Sequence, residues 1–176
     1  MKNVLLVLFM VVSYKCLAGE KIPVVDIFTL KSLPRLPILA EGCEGECCGL
    51  LKSQKALADI NLAEGPGRGS KNVGVIKKGE VLDSVEFFIK ILKFGSTKVN
   101  GKKLKVFTYV AEGNVSIWDG KNVRATECNL GEDVCDDNLK QASTESWLRI
   151  KSKRGATGWA NIPARGDGIL DYDSCH

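Results

Sequence analysis

Histidine is almost missing from this 176-residue chain: there is one, and it is the last residue, His176. A thiolate or serine nucleophile that relies on an imidazole base therefore has no such base within the fold. The chain also lacks a second long apolar run after its N-terminus, so nothing beyond that point predicts a membrane-spanning helix. Phosphate-loop spacing is absent too, because Gly65-Pro-Gly-Arg-Gly-Ser-Lys71 has the residue types but not the order of a nucleotide cradle. Strong net charge is lacking: 25 basic residues face 21 acids, which gives no case for nucleic acid as a partner.

What is there begins with a leader. Residues 1–18 carry Lys2, an apolar stretch over 4–12, and small residues three and one before a cut after Ala18. This is the pattern of a cleaved signal peptide, so the mature chain is expected to be secreted or periplasmic and not transmembrane. The alternative is a lipoprotein signal with Cys16 acylated; Tyr14 and Lys15 fit that processing site poorly.

The cut leaves six of seven cysteines: Cys43, Cys47, Cys48, Cys128, Cys135 and Cys175. An even set in an exported chain predicts disulfides. Six cysteines allow fifteen pairings, and the sequence does not choose among them. Cys128 with Cys135 is the preferred local bridge, and because a bond between adjacent cysteines is strained, at least one of Cys47 and Cys48 is expected to reach elsewhere, with Cys175 a candidate. Cys43, Cys47 and Cys48 as a zinc site would need reduced thiolates and a fourth ligand, so neither metal nor cofactor is expected.

Strand signals dominate the remainder. Residues 54–62, 73–76 and 81–92 read as strands, the last long enough to bend or bulge. Asn100-Gly101 is the strongest hairpin signal in the chain. Alternation over 104–110, 115–118 and 122–126 predicts a β-meander, and residues 128–143, acidic and amide-rich, read as a surface loop. The stretch Trp147-Leu-Arg-Ile-Lys-Ser-Lys-Arg-Gly-Ala-Thr-Gly-Trp159 predicts a closing hairpin. In it Trp147, Ile150 and Trp159 are expected to be buried, with Arg149, Lys151 and Lys153 on the wet face. Residues 19–42, with Pro23, Pro34 and Pro37, read as an extended arm with at most a short strand near 24–28.

Several of these pieces resemble bacterial SH3-like (SH3b) domain proteins of the cell envelope, of the Cys-rich periplasmic type. The residues that carry the likeness are Gly45-Glu-Cys-Cys-Gly49, Lys78-Gly-Glu80, Tyr109-Val-Ala-Glu-Gly113, Ile117-Trp-Asp-Gly120, Gly158-Trp159 and Asp171-Tyr-Asp-Ser-Cys175. The resemblance implies an all-β fold: an SH3-like barrel over 53–163 with an inserted meander over about 93–145. A disulfide-tethered arm (19–52) and tail (164–176) complete the expected organisation. It also implies a module that catalyses nothing and binds a peptide, peptidoglycan or another envelope protein. The alternative is a structural or inhibitory envelope protein that holds another protein through the meander.

Such barrels bind extended peptides on aromatic grooves between loops. The candidate ligand surface is therefore Trp118, Tyr109 and Tyr172, with Arg68 and Glu80 at loop ends. Trp118, before an Asp-Gly turn, is expected to be partly exposed, and Trp147 and Trp159 to be core.

Overall fold

The computed structural model describes residues 21–42, 55–109, 114–127, 139–162 and 168–170. The leader and all the cysteines, with the expected bridges, lie outside these residues. Eleven strands are present among them: β1 (Val24–Val25), β2 (Ile38–Glu41), β3 (Ile60–Ala63), β4 (Asn72–Ile76), β5 (Leu82–Lys93), β6 (Gly95–Val99), β7 (Lys102–Tyr109), β8 (Asn114–Trp118), β9 (Val123–Glu127), β10 (Ser143–Ser152) and β11 (Thr157–Ile162). One 3-10 turn, Ile27–Thr29, follows β1, its first free amide capped by Asp26, whose Oδ1 accepts from Phe28 N at 3.0 Å.

The all-β class holds, but the strands form two sheets and no closed barrel. The larger sheet runs β1-β2-β5-β10-β11-β3-β4, and the smaller runs β6-β7-β8-β9. The expected first strand is shorter than its sequence suggests. Lys55 and Ala56 leave the β3 line and bridge instead to Val81 and Leu170, so β3 keeps only four residues. The segment read as an arm also behaves differently. Ile38, Leu39 and Ala40 are buried, and β2 pairs antiparallel with β5 from Ile38↔Ile91 to Glu41↔Phe88.

The expected meander is present as the smaller sheet. Its first hairpin closes on Asn100 and Gly101, both at positive φ (49° and 75°), with Val99 opposite Lys102. That left-handed pair matches the twist of the flanking strands. A bulge in β7 then places Phe107 between Val106, opposite Ile117, and Thr108, opposite Ser116.

Two apolar cores share the inward face of β5. Val85 and Leu82 join Leu148, Ile150, Ala160 and Ile162, against Ile60, Leu62 and Ile76 from the curled-over β3–β4 hairpin. Two turns of the pleat further on, Ile89 and Ile91 join Ile38 and Ala40, and here the cover is Phe107, Trp118 and Val123 of the smaller sheet with Ile27 of the 3-10 turn. The outer face of that smaller sheet has its own cluster, in which Leu104, Val106, Val115 and Ile117 meet Leu139.

Candidate functional site, the outward face of the larger sheet

Alternation along β10 places Leu148, Ile150 and Ser152 inward and leaves Glu145, Trp147, Arg149 and Lys151 together on the opposite face. Trp147 is buried as expected, at 6% exposure, but it shares a face with the two basic residues and packs in a separate cluster with Leu39 and Phe88, not with Ile150. Spacing by two is what decides this, and 147, 149 and 151 obey it. Lys153 sits in the turn, whose Gly155 takes φ 90°.

The pairing registers arrange this face in rows. Lys90 lies between Leu39 and Glu145; Phe88 lies between Glu41 and Trp147, which continues to Asn161; Arg149 lies between Glu86 and Trp159, which continues to Ala63. The result is a small aromatic cluster of Leu39, Phe88 and Trp147, with Ile22 and Trp159 packed at its border. Phe88 and Trp159 meet in a tilted contact, ring centres 5.0 Å apart, within the range such pairs favour.

Charges are interleaved with these rings. Lys90 is 6% exposed, yet its Nζ lies 3.2 Å from Glu145 Oε2 and 5.8 Å from the Trp147 ring centre. The same Glu145 oxygen accepts from Trp147 Nε1 at 3.3 Å, and the other faces Arg68 Nε at 3.6 Å. Burial pushes the Glu145 pKa up, but the bonds from Lys90 and Trp147, with the charges of Lys90 and Arg68, outweigh it and hold the carboxyl below its ordinary value. Arg149 is paired with Glu86, and its guanidinium carbon sits 5.5 Å from Phe88 and 5.9 Å from Trp159. Lys151 and Asp83 form an outer pair at 2.8 Å, in which the lysine hydrogen bond lowers Asp83 and Asp83 in turn raises Lys151.

The local reason for the Gly-Trp start of β11 is steric. A Cβ on Gly158 would stand 2.8 Å from Leu62 Cβ and 3.0 Å from the Ala63 carbonyl oxygen. Glycine thus lets β11 close onto β3, and the next residue, Trp159, is delivered to the outward face opposite Ala63.

Of the five residues expected to form a ligand surface, the three whose side chains are described, Trp118, Glu80 and Arg68, lie in separate parts of the fold. Trp118 is 9% exposed and belongs to the inter-sheet core, which corrects the expectation of an exposed ring. Glu80 sits in the turn between β4 and β5, where the Ser152 hydroxyl and the Lys77 amide hold its pKa down. Of these three, Arg68 reaches the face just described, from the Gly-rich loop, with a side chain 93% exposed. Tyr109 closes β7 opposite Val115, its side chain outside the described set, and Tyr172 lies outside it altogether.

Sequence reasoning missed Lys90, Glu145 and Phe88. The spacing by two of Glu86, Phe88 and Lys90 was the available signal, obscured because both faces of β5 are rich in apolar residues. Among the described residues no three of His, Cys, Asp and Glu converge as a metal-ligand group, and no helix is long and apolar enough to cross a membrane. No protein family, curated protein or solved structure matches the chain.

Proposed function

We propose that this chain is an exported, non-catalytic, SH3-like binding module that takes an extended peptide across the outward face of its larger sheet. The observation that carries the reading is the setting of Trp159. It is half-buried against Phe88, capped by Arg149, and lies on the sheet face that Arg68 overhangs. An indole with one open side accepts an apolar side chain at little ordering cost. Beside it, the 45% exposed side chain of Arg149 and the nearly free Arg68 suit a ligand carboxylate. Lys90 and Glu145 beneath are mutually satisfied and keep the platform flat and fixed.

The preferred ligand is therefore an extended segment with an aromatic or aliphatic residue next to Asp or Glu. Selection of a displayed random peptide library on the purified chain tests this. Enriched sequences should combine those two residue types, and capture should be lost in a Trp159→Ala, Arg149→Ala double variant. Enrichment that survives the double variant, or a chain that retains purified peptidoglycan and no peptide, would overturn the reading.

A further inference from the structure

On a different surface, we propose that the exposed face of the β6–β7 hairpin is a binding site for an anionic glycan, a linear polysaccharide bearing sulfate, phosphate or carboxylate groups. Lys98 stands directly opposite Lys103, and Lys105 follows two residues along β7, opposite Ser96. Ser96 in turn bridges Lys140. Paired residues share a face and so do residues two apart, so Lys98, Lys103, Lys105 and Lys140 project from one side of a flat ribbon. All four are exposed.

Like charges directly opposite one another destabilise a sheet. Lysines on edge strands have a ready explanation, since they keep strands from pairing with other chains. That accounts for Lys98 on the edge strand β6 and for Lys140 beside it. It does not account for Lys103 and Lys105, because β7 is paired on both sides, by β6 and by β8. Nor do the described residues neutralise the charges of Lys103 and Lys105. Among the described residues, Lys103, Lys105 and Lys140 have no carboxylate partner, while Asp119 of the β8–β9 turn is taken up by Arg124 and by the Lys121 and Asn122 amides.

The geometry separates a glycan from other polyanions. Neighbouring lysines are about 5 Å apart across the ribbon and about 7 Å along a strand, fixed by the sheet, which suits single charges repeated along a stiff chain. Bases would need an open ring to stack on, but of the aromatic residues of this face Phe107 and Trp118 are buried under the larger sheet and Phe94 is half-buried, its ring packed on Phe107. A bilayer surface would need apolar side chains projecting with the lysines. The hairpin offers Ser96 in that position.

Biolayer interferometry of the purified full chain provides the test, with immobilised dextran sulfate as probe and neutral dextran as reference. Single-stranded DNA and phosphatidylglycerol vesicles are compared at matched charge. Salt-sensitive binding to dextran sulfate, above that to DNA and vesicles, is expected. A Lys103→Ser, Lys105→Ser double variant should bind about tenfold more weakly, the size of effect that losing two charge contacts gives. Its melting temperature should be unchanged or raised, because a like-charge pair has been removed. A Lys71→Ser, Lys78→Ser variant, altered beside β4, should bind as the parent does. The proposal is overturned by no binding to dextran sulfate, by a double variant within twofold of the parent, or by equal or stronger binding to DNA or vesicles. It is also overturned if binding appears only once Glu132, Asp133, Asp136 and Asp137 are changed to amides, since the lysine face would then serve the chain itself.

Discussion

The ammonium of Lys90 lies 3.2 Å from the carboxylate of Glu145 on a face of the sheet that alternation alone would assign to water. Both side chains are largely buried, at 7% and 16% exposure, so the pair sits beside the Trp147 ring and outside bulk solvent. Removing one member leaves the other with a desolvation penalty and no counter-charge. We expect Lys90→Met to cost about 2 to 3 kcal/mol, with a Lys90→Met, Glu145→Leu double variant regaining most of the loss. Urea unfolding of the three proteins checks this, and a double variant as unstable as the single one would contradict it.

The same carboxylate makes stability depend on pH. Its folded pKa is depressed below the ordinary 4.5. Glu145 therefore contributes stability that is fully present above about pH 4.5 and lost as pH falls through the lower folded value. Thermal melts between neutral pH and pH 3 should show a steeper loss for the parent than for Glu145→Gln. Parallel slopes would place the acid sensitivity elsewhere.

Trp118 and Trp159 divide in the opposite sense to the one their neighbours in sequence suggest, while Trp147 is buried as expected. Trp118→Ala empties a site between the two sheets and is expected to cost about 3 to 5 kcal/mol. Trp159→Ala removes a ring that is only half-buried and should cost about 1 to 2 kcal/mol, while abolishing peptide capture. Denaturant midpoints for the two variants, measured side by side, decide the order.

That reversal shows what could be read from residues alone. Strand positions were legible wherever turn chemistry fixes them: Asn100-Gly101 closes the β6–β7 hairpin, and Gly79, at φ 82°, shapes the turn into β5. The meander was legible for the same reason. What stayed hidden depends on partners distant in sequence. Ile38, Leu39 and Ala40 carry no period that separates a linker from a buried strand, and only pairing with β5 decides it. Trp118 precedes an Asp-Gly turn, which suggests exposure, but the 3-10 turn and β2 cover it. The Lys90–Glu145 pair joins residues 55 positions apart, a register that no local pattern specifies.

Two glycines should be intolerant for a steric reason. On Gly95 a Cβ would collide with the Lys140 carbonyl oxygen and stand 2.7 Å from the Ala142 amide; on Gly158 it would meet Leu62 and Ala63. These neighbours are backbone or Cβ atoms that cannot rotate away. Gly158→Ala and Gly95→Ala are each expected to lower stability by about 1 to 3 kcal/mol. Asn161→Ala, at an exposed position on β11 where one hydrogen bond from the side chain to Ser146 O is lost, should cost no more than about 1 kcal/mol. Calorimetric melts of the three variants test the contrast.

Only Phe94 separates the end of β5 from the start of β6, and its ring packs on Phe107 of β7. The meander is thus no ornament that trimming could remove. A chain joined from residue 92 to residue 146 would leave Ile38, Ile89 and Ile91 bare to water, and the larger sheet would lose the lid over half of its inward face. Hydrogen exchange should accordingly protect β5 and β8 together and release them together, as one foldon with two sheets.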